Sequence, residues 1–340
     1  MLDAVKNPSP SARAAIANEQ GRSRSCPICG TTGGRVVSRG SNSRDGHSLS
    51  GEYVRCDGCS HLFLCPIRDA EELAGLYEQL WQDESVIQAN VKSRTANGMR
   101  ALFTRAEYKL FKQSFERYAA LHQFLPTIRK DSPRLLDMGC GEGTGLTGFV
   151  NSGWSISGVD ISPTAVATAR RRIPSGEFVS GELTEAARRL GPFDLVRLDN
   201  VLEHVINPSS VLGAAFEHLH PGGFIAIYVP HGESLSLRLF RSRSVSHWVP
   251  YHLHLFTRQS LGRALESVGF KITEMHLIDP PTWWPLTMSQ TLHPGRNLAS
   301  YGRAAIESIH LRVAAMPFRF LSRLASGEEL IAFARRPAQP

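Results

Sequence analysis

Short apolar runs separated by polar, glycine-bearing turns recur through the second half of the chain, at 134–138, 155–160, 177–179, 193–198, 223–229, 271–278 and 329–335. Each has strand length, and between them the apolar spacing lengthens to the helical period, beginning at Leu146 to Val150. Strands alternating with helices predict an α/β fold, a parallel sheet with helices on both faces. Upstream, 69–130 carries helical periodicity, with apolar positions 103, 107 or 108, 111, 115 and 118 on one side, and is expected to cap the cleft. Residues 1–22 hold little apolar mass and predict a flexible tail.

An insertion at 279–327 separates the last two strands. Within it Ile306, Ile309, Val313, Met316, Phe320 and Leu324 form one helical stripe, with Arg312, Arg319 and Arg323 elsewhere and Pro317 expected to kink the helix. Packing of the stripe on its own domain or a partner subunit is favoured. A basic amphipathic helix at 304–324 would also suit peripheral contact with an anionic membrane.

Chemistry concentrates where the first strand of the sheet ends. "LLDMGCGEGTG", residues 135–145, is a strand followed by a glycine turn, and glycines let a ligand approach the backbone where a Cβ would collide. A dinucleotide fingerprint needs glycine at 144, where the chain has Thr144, so the spacing argues against NAD. Asp137 ends the strand, where a cofactor bearing a cation and an amine would be welcome and a pyrophosphate would be repelled. "WSISGVD" ends in Asp160, 23 positions after Asp137, where the acid of a βαβ unit holds ribose hydroxyls.

Two strand-end acids with G-x-G-x-G between them resemble motifs I and II of class I S-adenosylmethionine-dependent methyltransferases. "GPFDLVRLDNVLEHVINPSSVLGAAFEHLHPGGFIAIYVP", from Gly191 to Pro230, resembles strand four to strand five of a subfamily with V-L-E-H-V after strand four. The Trp, Pro-x-His, Phe-Thr and Gly-Phe within "SLSLRLFRSRSVSHWVPYHLHLFTRQSLGRALESVGF" continue the likeness, which spans 135–270. His231 departs from it, standing where the subfamily has Asn. The resemblance implies a Rossmann-like seven-stranded sheet whose last strand runs antiparallel, within a domain over 131–340. It implies S-adenosyl-L-methionine as cofactor, bound by Asp137, Gly139, Cys140, Gly141, Gly143, Asp160, Ile161, Glu182, Leu183 and Asn200, with Glu203 beside the mouth.

Cys26-Pro27-Ile28-Cys29 and Cys56-Asp57-Gly58-Cys59 give two C-x2-C knuckles separated by 26 residues, a pattern for tetrahedral Zn2+. Four thiolates leave no open position, so the zinc is expected to be structural, in a ribbon over 23–68. A hairpin with a flexible tip, "SRGSNSRDGHSLSG", would fill the gap, and His61 is the close substitute ligand. "CSHLFLCPIRDAEELAGLYEQLW" resembles the tail of zinc ribbons preceding this subfamily, which includes sugar C-methyltransferases. Cys65 and Cys140 read as small packing residues.

Composition narrows the classes. The chain is 42% hydrophobic and 20% charged, ordinary for a globular protein. No signal peptide or transmembrane stretch is evident, so a cytoplasmic location is expected. A net charge of +7 is compatible with nucleic acid, lipid or a phosphorylated substrate, with arginines scattered rather than blocked.

The expected activity is methylation of O or C of a small molecule, a sugar, nucleotide sugar or related metabolite. His204 and His252 are the candidate catalytic bases, with His231 and His254 behind them, though a lone histidine is more often structural. No cluster of carboxylates in the sequence indicates a catalytic magnesium site. An RNA methyltransferase is the alternative, disfavoured because "LDNVLEH" lacks an N-P-P-Y-type loop. A non-catalytic scaffold is least favoured, because both strand-end acids are present.

Overall fold

In the computed structural model the described residues are 25–44, 47–67, 72–73, 75, 131–280, 282–293 and 308–338. The expected tail, nearly all of the expected cap and residues 294–307 of the insertion lie outside them.

Two sheets organise the protein. The larger is built from β4 (Arg134–Met138), β5 (Ser155–Asp160), β6 (Glu177–Ser180), β7 (Phe193–Asp199), β8 (Leu219–Pro230), β10 (Lys271–Ile278) and β11 (Glu329–Arg335). Its order is β10-β11-β8-β7-β4-β5-β6. Strands β4 to β8 pair in parallel, and β11 enters antiparallel between β8 and β10, as the resemblance implied. Successive strand residues alternate between two apolar layers. Leu136, Met138, Val196 and Leu198 join one buried cluster, whereas Leu135, Leu195, Tyr228 and Phe333 join the other. A sheet apolar on both faces requires helices on both, which accounts for near-continuous runs such as "FIAIYV".

The smaller sheet is β1 (Gly34–Arg44), β2 (His47–Cys56), β3 (Leu62–Cys65) and β9 (His254–Leu255), in that order. The hairpin differs from expectation: β1 and β2 remain paired out to Arg44 and His47, so most of the anticipated flexible tip is ladder. Paired backbone groups stabilise what side-chain composition alone marked as loop. The fourth strand comes from the methyltransferase-like part of the chain, with Leu62 opposite Leu255 and Phe63 opposite His254. Tyr53, Leu62, Leu64, Val249, Leu253 and Leu255 bury one another at this junction, and the Tyr53 hydroxyl donates to the His252 carbonyl at 2.6 Å.

The helix Ile309–Ala325 runs on through Pro317, and part of the expected stripe does not pack on its own domain. Val313, Phe320 and Leu324 are 48%, 58% and 72% exposed, while Arg319 is fully buried. Arg319 Nε donates to buried Asp279 Oδ2 at 3.3 Å, and Phe318 stacks on Trp284 with ring centroids 5.3 Å apart. Burying Asp279 without a cation would be costly, so the ion pair and the ring stack set the helix's rotation and turn the stripe outward. Among the described residues no helix is long and apolar enough to cross a membrane.

Candidate functional site

The chain enters the parallel sheet at β4, winds outward through β5 and β6, then returns to β7 on the other side. The crevice above the carboxyl ends of β4 and β7 is therefore a topological switch point, where ligands bind in open α/β sheets.

The glycine loop closes this crevice on one side. Gly139 and Cys140 donate their N–H groups to the Val159 carbonyl at 2.7 and 3.0 Å, while Gly141 N–H donates to Asp160 Oδ2 at 2.8 Å. Asp160 Oδ1 accepts from Ser162 N–H at 2.9 Å, so both carboxylate oxygens brace the loop. Gly139 has φ 82°, and a Cβ there would sit 2.3 Å from Val201 Cγ2. Gly141, at φ 50°, faces open space instead, and its backbone conformation is what favours glycine. Cys140 is buried and its thiol is pushed up by burial, in keeping with a packing residue.

Beneath the loop, register sets Arg197 beside Asp137. Arg197 Nη1 donates to Asp137 Oδ2 at 3.0 Å, and its Nη2 pairs with Asp199. Burial pushes Asp137 up to about 6 even with the guanidinium opposing it. Asp137 Oδ1 is buried without a hydrogen-bond partner among the described residues, an acceptor suited to a cofactor amine. Asn200 adopts φ 53°, and its Nδ2 donates to Asp199 Oδ1 and Glu329 Oε1 at 2.9 and 3.1 Å. Glu329 is fully buried, and burial beside Asp199 pushes its carboxyl up to about 8.

The rim residues are less alike. Ile161 is 52% exposed just beyond Asp160. Glu182 caps the helix Leu183–Ala187, its Oε2 accepting from Thr184 N–H and Glu185 N–H at 2.9 Å each, and Leu183 packs partly against the core.

Across the crevice, the segment after β7 meets the 246–252 loop. His204 and His252 have ring centroids 4.8 Å apart, with Trp248 against both. His204 Nδ1–H donates to the Tyr251 carbonyl at 2.8 Å, and His252 Nδ1–H donates to the Ser246 carbonyl at 2.7 Å. Burial lowers His204 to about 4 and His252 well below its ordinary value, so both rings are neutral near pH 7. The reserve histidines are engaged elsewhere: His231 Nδ1 faces the Gly327 carbonyl at 3.4 Å, and His254 bridges the Val205 carbonyl and His61 at 2.9 and 3.1 Å.

The four knuckle cysteines converge. Cys26 Sγ lies 3.6 Å from Cys59 Sγ, and Cys29 Sγ lies 3.5 Å from Cys56 Sγ, with no disulfide formed. Metal–sulfur bonds of about 2.3 Å in a tetrahedron require sulfurs roughly 3.8 Å apart, so the set fits zinc. His61 is not among them, being held between Ser260 and His254.

The sequence reading missed Arg197 and Glu329. An arginine inside the apolar run "FDLVRLD" was the available signal for the first. Glu329 is separated from Asn200 by well over a hundred positions, and nothing local marks it.

The sheet order and the antiparallel β11 are those of the class I S-adenosylmethionine-dependent methyltransferase fold. Residues 110–275 match the family described as a methyltransferase domain. The ubiquinone biosynthesis O-methyltransferase of Thiobacillus denitrificans is 37% identical over 97 residues, 27% of this chain and 42% of that protein. An uncharacterized 37.1 kDa protein in transposon Tn4556 of Streptomyces fradiae is 35% identical over 108 residues, 30% of this chain and 31% of that protein. Less than half of either relative's length is thus matched. Among solved structures, the [4+2]-cyclase SpnF superposes with a TM-score of 0.52 at 18% identity, covering 81% of this chain and 99% of that one, which is a likeness of fold.

Proposed function

We propose that this chain transfers a methyl group from S-adenosylmethionine to an oxygen or carbon of a small molecule, with a hydroxyl oxygen the favoured acceptor. The observation supporting this reading is an Asp160-braced glycine loop at the sheet's switch point, packed on Val201, three residues before His204, which pairs with His252. When bound, the cofactor supplies a methyl sulfonium with a good leaving group, so the protein's task is alignment and exclusion of water. In this reading Asp137 and the backbone from Gly139 to Gly143, including Cys140, hold the methionine end. Asp160 serves the ribose, Ile161, Glu182 and Leu183 border the adenine, and Asn200 lines the mouth. His204 and His252 activate the acceptor.

The O-methyltransferases among the relatives support oxygen. A sugar or nucleotide-sugar acceptor is the narrower proposal, supported by the ribbon's resemblance. Zinc on Cys26, Cys29, Cys56 and Cys59 is proposed as structural.

Calorimetric titration of zinc-loaded protein with S-adenosylmethionine and S-adenosylhomocysteine tests the reading. Both are expected to bind, and Asp160→Ala is expected to weaken both by about tenfold or more, as loss of hydrogen bonds to a charged group implies. No binding by folded wild-type protein would overturn it.

A further inference from the structure

Beside the histidine pair stands a carboxylate that the methyl-transfer reading does not use. Glu203 is fully buried, and neither of its oxygens has a hydrogen-bond partner among the described residues. Its Oε1 lies 3.8 Å from His204 Nε2. Because both imidazoles donate from Nδ1 to backbone carbonyls, each Nε2 is the unprotonated nitrogen carrying a lone pair. One carboxylate oxygen and the two histidine nitrogens all lie within 4.8 Å of one another. Acceptors gathered this closely in a buried site repel one another unless a proton or a metal cation sits between them, and three such donors are the makings of a metal site.

Carbonyls that accept from Nδ1–H, and so fix the tautomer, are the outer partners found behind metal-binding histidines. The carbonyls here belong to Tyr251 and Ser246, on a loop held by the buried Tyr53, Val249 and Leu253 cluster. The donors therefore sit on a packed support.

We propose that Glu203, His204 and His252 form a second metal site, separate from the four cysteines, for a divalent cation of the zinc, manganese or iron(II) type. Two imidazoles and one carboxylate favour such ions over magnesium or calcium, which prefer oxygen ligands alone. Bonds of about 2.0–2.2 Å need the donors to close in by about an ångström, a shift side-chain rotation supplies. Three protein ligands leave a coordination position open, and the site adjoins the crevice: Val201, two residues before Glu203, is the residue that packs on Gly139. The open position suits an acceptor oxygen, ideally one of a vicinal diol or hydroxy-carbonyl pair. That use of the metal rests on the methyl-transfer reading, whereas the site's existence does not.

Metal counting on the full chain separates the two claims, since it needs neither cofactor nor acceptor. After equilibration with Co2+, wild-type protein should hold two equivalents. One should show intense thiolate-to-cobalt absorption from the cysteines, and the other only the weaker bands of nitrogen and oxygen ligation. Glu203→Gln and His252→Gln should each weaken the second site about tenfold or more while keeping the thiolate bands, which report that the ribbon remains folded. A single equivalent in wild type, or a second equivalent that survives both substitutions, would overturn the proposal. Titration with S-adenosylhomocysteine on the same samples reports independently on the methyl-transfer reading.

Discussion

Arg197 shows how one side chain can hold a site together. It is 4% exposed and neutralises both Asp137 and Asp199 beneath the glycine loop, and a Cβ on Gly145 would come within 2.5 Å of its Nη2. Arg197→Met keeps the length of the side chain but leaves buried Asp137 and half-buried Asp199 without their cation. Removing one partner from a buried ion pair typically costs about 3–5 kcal/mol, so urea denaturation should show a loss of that size. Loss of less than about 1 kcal/mol would mean that water already solvates the acids. Asp137 and Asp160 were legible in the sequence because they follow apolar strands and bracket glycines. Arg197 was not assigned, because only the β4–β7 register shows what it faces.

At the scale of elements, the cysteine-bearing sheet is coupled to the seven-stranded sheet through the β3–β9 ladder and a shared apolar cluster. Cys26, Cys56, Cys59 and Phe63 belong to the same buried cluster as Leu136 and Val196. Chelating the zinc should therefore loosen more than the knuckles. Hydrogen–deuterium exchange is expected to rise in β1 to β3 and also across 252–256, where the Leu253 N–H, bonded to the Glu203 carbonyl at 2.7 Å, is a convenient reporter. Exchange confined to 26–59 would show that the ribbon stands alone. The Cys spacing sufficed to predict that four thiols converge, whereas the strand borrowed at His254–Leu255 is too short for any pattern to disclose. The helix Ile309–Ala325 carries the same lesson in reverse. Its periodicity identified the helix correctly, but an apolar stripe does not say which face turns inward when a buried acid demands an arginine.

For the molecule as a whole, buried ionisable groups pull stability in opposite directions with pH. Burial lowers His247 to about 4, so the unfolded state binds its proton more readily and stability falls as pH drops below about 6.5. Burial raises Glu328 and Asp279 each to about 7; in both, the folded state holds the proton more tightly. Their contribution is complete below the ordinary carboxylate range and is lost as pH rises through about 7. Between the ordinary carboxylate range and pH 6.5 the two carboxyls outweigh the one histidine, so the thermal midpoint set by these three groups should fall from pH 5 to pH 7 and level off above it. His247→Gln should steepen that fall and Glu328→Gln should flatten it. A slope unchanged in both variants would mean other groups govern the profile.

What the sequence determined by itself is what local pattern can encode: strand and helix periods, the glycine turn, the acids at strand ends and the paired cysteine knuckles. These arise from interactions between residues close in the chain, or from a repeat that one face of an element must satisfy. The tertiary structure alone decided which distant groups meet. It set Arg197 against Asp137, Glu329 against Asn200, and Glu203 and His204 against His252, and it gave the ribbon its fourth strand. Sheet order and register select those encounters, and burial then sets their electrostatics by removing the water that would otherwise solvate each charge.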